Sequence, residues 1–399
     1  MNKVVVSGIG IITAIGKTIA ENMYALENGN TGIVEPKTLS QEDKTIQFPL
    51  GKINLTNAEL IARCNGYESK GTTRTDALSK IAFQEAIKDA DLSAADLKSR
   101  RTAFISASTV GGMSRTMELY EDATKNDEPS EFINSYSASV HLHKIIDHYE
   151  MTGPTSVINT ACSSSANAIM LGAKLLEQDK VDIAIVGGVD CISRFTIRGF
   201  DALGILTKNR CKPFDENREG LNLGEAAAYL VLRKAPLSNS LNKYGSIVGW
   251  ANTNDSYHSS ALNENGSGIM NCINKALEVA EIIPNDIGFI NAHGTGTGNN
   301  DLAELTAVSK LFKANIPMYS SKSYTGHTLG AAGAIECVFS LLGLNQNQVY
   351  PSLNIDVPLK VKSMQVNQLL LKSENIKYAL SNSFGFNGNC TSLIISGKE

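Results

Sequence analysis

Short apolar runs alternate along this chain with longer stretches of mixed character. Residues 4–15, 155–161, 183–189, 246–250 and 287–292, rich in Val, Ile and Ala, and the shorter 318–321 carry no charge. Runs of this kind predict strands buried in sheets, and their alternation with helical stretches predicts an α/β protein. Residues 163–173 hold no charged side chain, so the helix expected there lacks a polar face and belongs inside the fold. Two stretches read the other way. Residues 114–132, with Glu118, Glu121, Asp122, Lys125, Asp127, Glu128 and Glu131, predict an exposed excursion, and the polar residues 36–59 predict a superficial segment.

Length and composition narrow the class without naming a chemistry. A chain of 399 residues supports a large core and more than one domain. Its 42% hydrophobic and 19% charged residues fit a soluble globular protein, and no run reaches the length of a membrane span. The apolar opening is interrupted by Gly8, Gly10 and Gly16 with no small-residue cleavage site close behind, which predicts a first strand rather than a leader. The Gly8-Ile-Gly pair is not a dinucleotide fingerprint, because the third glycine is misplaced and no acidic residue follows at the right distance. A net charge of −4 argues against nucleic acid. Seven cysteines, at 64, 162, 191, 211, 272, 337 and 390, are scattered and form no CxxC pair, which predicts a reducing, cytoplasmic setting without disulfides.

Three residues at strand ends suggest a site. Cys162 lies where the run 155–161 gives way to the uncharged helix. A thiol at a helix start faces unpaired N–H groups and the positive end of the dipole, which favour the thiolate; a small buried core cysteine is the equal alternative. His293 follows the run 287–292 in His-Gly-Thr-Gly-Thr-Gly, and His327 follows 318–321 in Gly-His-Thr-Leu-Gly-Ala-Ala-Gly. Open α/β sheets bind ligands at the carboxyl ends of their strands, so these three make a convergent site.

The motifs around them resemble the elongating β-ketoacyl-acyl carrier protein synthases, condensing enzymes of the thiolase superfamily. The matching blocks are Thr160-Ala-Cys-Ser-Ser, Asn291-Ala-His-Gly-Thr-Gly-Thr, Lys322-Ser-Tyr-Thr-Gly-His-Thr-Leu-Gly-Ala-Ala-Gly-Ala and Asn382-Ser-Phe-Gly-Phe. Pro213-Phe-Asp with Arg218-Glu-Gly and Leu223-Gly-Glu, and the opening Val4-Val-Val-Ser-Gly-Ile-Gly, agree as well, all in the family's order.

The resemblance implies a five-layered α/β/α/β/α thiolase fold of two similar halves, residues 1–245 with the nucleophile and 246–399 with the two histidines. It implies that Cys162 takes an acyl chain from a carrier protein's phosphopantetheine arm, with the N–H groups of Cys162 and Phe386 as oxyanion hole. His293 and His327 would stabilise the enolate left by decarboxylation of malonyl-carrier. Lys322 would order the site by pairing with Glu304, and Phe386 would gate the acyl pocket. Thr295 and Thr297 would hold the arm, with turn-forming threonines as the alternative. Val110 and Phe200 would shape the acyl pocket, and Thr109 stands where glycine is common. Asp255 and His258 would support the arm tunnel. Lys70 and Arg74 fall where the family meets the carrier's acidic helix; simple solvated charges are the alternative.

No resident cofactor or metal is expected, since His141, His143 and His148 match a helix that binds none. A homodimer is implied, with a heterodimer open. The chain departs from the family's Gly-Phe-Gly-Gly at Gly385-Phe-Asn387-Gly388, and Gly220-Leu-Asn-Leu-Gly-Glu looks more like synthases of polyene pigments than of fatty acids. Cys390 keeps a thiolase reading in view. The two histidine blocks oppose it, and intact Cys162, with His293 and His327, opposes a nucleophile-free chain-length partner.

Overall fold

The structure is a computed structural model that describes residues 4–36, 46–66, 71–115, 124, 133–235, 241–312, 316–362, 364, 366–373 and 376–398. The apolar opening becomes β1 (Val4–Thr13), buried along its whole length. Four further strands complete a first set: β2 (Thr102–Ala107), β3 (Thr155–Ile158), β4 (Ile183–Asp190) and β5 (Ala226–Lys234). A second set follows: β6 (Gly245–Asn254), β7 (Ile287–Asn291), β8 (Met318–Tyr319), β9 (Tyr378–Gly385) and β10 (Asn389–Ser396).

The two sets repeat one another. The strand order is β8-β7-β9-β10-β6-β1-β5-β4-β2-β3. Counted outward from the β1–β6 junction, each set runs first, fifth, fourth, second, third. Directions repeat too: the two inner pairings of each set are antiparallel and the two outer ones parallel. Among the described residues, the strands of the two sets pair with each other through Val4–Val6 against Gly245–Ile247.

Helices separate the sets into layers. On the outside of the first lies α1 (Arg74–Asp89), whose Leu78, Ala82, Phe83 and Ala86 pack with Phe104, Ile185 and Val231. Between the sets lie α2 (Ser164–Glu177) and α5 (Ala332–Gln346), packed on each other and on strands of both. Outside the second lie α3 (Ser267–Ala280) and α4 (Gly298–Leu311), with Ile273, Leu305 and Val308 against Ile290, Leu380 and Ile394. The result is the five-layered arrangement that the resemblance implies. Each fully buried Leu, Ile or Val in these layers contributes about 1.5–3 kcal/mol. The segment Leu329–Gln346 is long and apolar enough to cross a membrane, but 89% of it is buried here as the central helix.

Two sequence expectations need correction. The run 155–161 gives a strand only to Ile158, and that strand is half-exposed, because β3 pairs with β2 alone and forms the sheet edge. Residues 46–55 are not superficial: Ile46, Phe48, Leu50, Ile53 and Leu55 are buried, an alternation hidden among polar neighbours. Most of the excursion at 114–132, and Lys70, lie outside the described residues.

Candidate active site

A cavity of about 210 Å³ opens where the two sets meet, lined among others by Cys162, His293, His327, Phe200, Phe384 and Phe386. Cys162, His293 and Phe386 follow strand ends, His327 follows the short helix Lys322–Thr325, Phe384 belongs to β9, and Phe200 lies on the helix Arg194–Ala202. Cys162 stands between β3 and α2, behind Ala161, whose φ of 55° bends the chain sharply. Phe386 follows β9, whose end passes so close to this bend that a Cβ on Gly385 would meet the Thr160 carbonyl at 2.6 Å and the Cys162 nitrogen at 3.3 Å. Only glycine lets residues 385–386 lie against the nucleophile. Phe386 is half-buried and stacks on Phe200 at 5.8 Å.

Buried carboxylates shape the histidine loop. Glu304 on α4 accepts from the backbone N–H groups of His293 at 3.0 Å and Gly294 at 2.9 Å, and from Asn382 at 3.2 Å. Asp301 accepts from Thr295 N at 3.0 Å and Phe214 N at 2.7 Å. His327 is fixed through its main chain, donating to the Asn222 carbonyl at 2.7 Å and accepting from Gly224 at 2.9 Å. The two imidazoles lie nearly perpendicular, with ring centroids 5.4 Å apart.

Lys322 pairs with Glu336, not with Glu304 as the sequence suggested. Its buried ammonium is in contact with the Glu336 carboxylate and donates to the His293 carbonyl at 2.5 Å. It also lies 3.3 Å from His293 Nδ1. Glu336 went unnoticed in the sequence, although a single acid in the otherwise apolar α5 had to be paired if the helix was buried. Asp190, ending the apolar β4, carried the same signal.

Burial sets the charge states. It holds both imidazoles well below their usual value, and the Lys322 charge adds to this, so both are neutral. Lys322 donates to Nδ1 of His293, and the Leu329 N–H donates to Nδ1 of His327 at 3.3 Å. Each Nδ1 is therefore an acceptor, and each ring carries its proton on Nε2. Burial also pushes the Cys162 thiol up to about 12; Lys322 opposes this, while Asp190 and Glu336 reinforce it. Burial thus opposes the thiolate that a helix start favours. Cys162 precedes the cap residue Ser163, and desolvation outweighs the helix start. Burial raises Glu304 to about 7 against its backbone donors, and raises Glu336 against Lys322.

The remaining sequence candidates divide. Thr295 and Thr297 line the cavity with their hydroxyls 2.8 Å apart. Val110 is buried and does not line the cavity, but it shares an apolar cluster with the lining residues Phe200, Ile205 and Leu221. Asn387 takes the left-handed conformation at φ 61°. Asp255 donates its N–H to the Gly388 carbonyl at 2.8 Å, and His258 Nδ1 accepts from Ser260 N at 3.2 Å. Arg74 faces inward, bound to Glu225 and the carbonyls of Leu55 and Ile53, so it does not serve as a carrier-docking charge. Cys390 is buried away from the cavity wall.

Known proteins share this plan. The family described as "Beta-ketoacyl synthase, N-terminal domain" matches residues 1–237, and "Beta-ketoacyl synthase, C-terminal domain" matches 244–356. The 3-oxoacyl-[acyl-carrier-protein] synthase 2 of Staphylococcus aureus strain N315 is 29% identical over 100% of this chain and 99% of its own length. Among solved structures, a ketosynthase in complex with its chain length factor from Xenorhabdus doucetiae is 29% identical, with a TM-score of 0.84 over 99% of this chain and 98% of that one. The ishigamide ketosynthase/chain length factor is 25% identical, with a TM-score of 0.90 over the whole of both chains.

Proposed function

The chain belongs to the β-ketoacyl synthase family, condensing acyltransferases, and from that premise we propose how its residues carry out 3-oxoacyl-[acyl-carrier-protein] synthesis. Cys162 attacks the thioester of an acyl-carrier; a bond from Sγ to the acyl carbon forms and the carrier's thiol leaves with the cysteine proton. The N–H groups of Cys162 and Phe386 stabilise the tetrahedral oxyanion. Malonyl-carrier then enters along Thr295 and Thr297, losing CO₂ as its thioester becomes an enolate. The Nε2–H groups of His293 and His327 donate to the enolate oxygen. The enolate carbon attacks the acyl-Cys162 carbonyl, the C–S bond breaks, and a chain two carbons longer leaves on the carrier.

One observation carries this reading. Each imidazole has a donor at its Nδ1, from Lys322 and from the Leu329 N–H, which leaves Nε2–H as the donor of each ring beside the cysteine that lines the cavity. Neutral donors suit a developing enolate, and they are poised before substrate arrives. Lys322 and Glu336 position His293 rather than exchange protons with substrate.

The reading includes an acyl carrier protein as partner, a cytoplasmic setting, and pairing of two chains through the open edge of β3. A homodimer is the first form of that pairing. A heterodimer with a chain-length subunit is the second, favoured by the resemblance to ketosynthases solved with such a factor. Both fatty-acid and polyene or polyketide elongation fit the site. The test is mass spectrometry of wild type and Cys162→Ala with malonyl-carrier and a panel of acyl-carriers. Adducts confined to Cys162 and two-carbon-extended products support the reading. Extension by Cys162→Ala would refute it.

A further inference from the structure

Asp190 is the last residue of β4, fully buried, and outside the chemistry above. One carboxylate oxygen accepts from Ser108 Oγ at 2.8 Å, Val110 N at 2.9 Å and Thr109 N at 3.0 Å. The other accepts from Thr109 Oγ1 at 2.6 Å and, across the junction of the two sets, from Gly330 N at 2.7 Å. A Cβ on Gly330 would come within 2.8 Å of that oxygen, so the close approach depends on glycine. Next to Gly330 is Leu329, whose N–H holds His327 in its tautomer and whose side chain shares an apolar cluster with Val110.

We infer that Asp190 is a positioning residue that ties the floor of the acyl pocket to the His327 turn, so that chain length is discriminated during condensation rather than during acyl transfer. The inference rests on the condensing function proposed above. An acyl chain on Cys162 extends along Phe200, Ile205 and Leu221, which belong to the same apolar cluster as Val110. A chain long enough to displace Val110 pulls on the carboxylate that also fixes Gly330, and through Leu329 it disturbs the donor geometry of His327. Loading of Cys162 involves neither Gly330 nor His327, so it escapes this penalty. Thr109, in place of the common glycine, adds a hydroxyl to the lock and makes the floor stiffer. The physical requirement is one element contacted by both sites, and the carboxylate meets it.

The experiment compares wild type, Thr109→Val and Asp190→Asn, measuring acyl transfer to Cys162 and release of extended product separately over straight-chain acyl-carriers of increasing length. Thr109→Val removes one donor; condensation of the longest chains should rise several-fold relative to short ones, with the length profile of acyl transfer unmoved. Asp190→Asn turns amide hydrogens towards these donors, and condensation should fall roughly tenfold for every chain. Its Cys162 should still react with iodoacetamide at least as fast as wild type, because the lost carboxylate opposes the thiolate. A Thr109→Val that changes all lengths alike in both steps overturns the coupling. So does an Asp190→Asn that loses alkylation and condensation together, the mark of a collapsed site. A wild type that forms acyl-Cys162 but never extends it overturns the condensing function itself, and the coupling with it.

Discussion

The two halves share strand order, directions and a central helix, yet they supply different chemistry from equivalent places. Cys162 lies between the third strand of its set and α2; His327 lies between the third strand of its set and α5. The outermost strands also differ. β3 is half-exposed, whereas β8 is covered, with Asn367 donating to the Met318 carbonyl at 2.8 Å. The first half thus offers a nucleophile beside an open edge, while the second buries a lysine and three acids around its histidines. Burial acts on both halves with opposite sign and one result: it raises the thiol and lowers the imidazoles, leaving all three neutral. The shared architecture provides a dry centre, and residue identity at the two helix starts divides the labour.

The largest effects should come from removing one half's contribution while sparing the other. Cys162→Ala should lower chain extension by at least about 10⁴-fold, as loss of a nucleophile generally does. Release of CO₂ from malonyl-carrier should persist, because both Nε2–H donors remain; loss of both reactions would break the division. Conversely, His293→Ala and His327→Ala should each slow decarboxylation by about 10²–10³-fold, as for loss of a single oxyanion donor. Acyl-Cys162 should still form in both, as mass spectrometry would show. The pH dependence follows from the same assignment. Folded imidazoles held well below 6.5 stay neutral as pH falls through 6.5, so the decarboxylation rate should stay level there. A rate that halves near 6.5 would mean that an imidazole titrates normally.

A smaller effect sharpens the contrast between the two buried glutamates. Glu336→Gln leaves the Lys322 ammonium buried without a countercharge, and breaking a buried pair in this way costs about 3–5 kcal/mol. Glu304→Gln removes an acceptor from two backbone N–H groups, a loss of about 1–3 kcal/mol. Thermal melts of the two variants should rank in that order. The reverse order would restore Glu304 as the ionic partner of Lys322.

That pairing marks where the sequence stops being legible. The layers could be read because strands buried on both faces must be apolar, and the uncharged stretch after Cys162 had to become a central helix. The three reactive residues could be read because each follows such a run. The partner of Lys322 could not, since Glu304 and Glu336 lie on different helices and only the packing of α5 decides between them. The desolvation of Cys162 is hidden for a related reason: a helix start is local and visible in sequence, whereas desolvation depends on everything packed around the sulfur. Residues 46–55 were missed because a period-two apolar pattern was short and set among polar neighbours. Arg74 was misassigned because an arginine that ties Glu225 to two carbonyls looks, in sequence, like any surface cation.

The smallest expected effect concerns the loop bearing Phe386, beside the nucleophile. Asn387 replaces a glycine of the family pattern and adopts φ 61°, a conformation asparagine tolerates better than most residues. Its position is held by main-chain contacts: its N–H donates to the Ser259 carbonyl at 2.6 Å, and its carbonyl accepts from Asn254 at 2.8 Å. The side chain itself is exposed. Asn387→Gly would relieve a small strain and add about as much entropy to the unfolded chain, roughly 0.4–1 kcal/mol, so the two terms nearly cancel. Stability should therefore be almost unchanged. Asn387→Val puts a branched side chain at positive φ and should cost about 1–2 kcal/mol. If Asn387→Gly alters extension rates while its melting point stays fixed, asparagine is there to stiffen the loop bearing Phe386, and the gate of this chain moves less freely than a glycine-rich one. If neither changes, the main-chain bonds to Ser259 and Asn254 alone set the gate's position against Cys162.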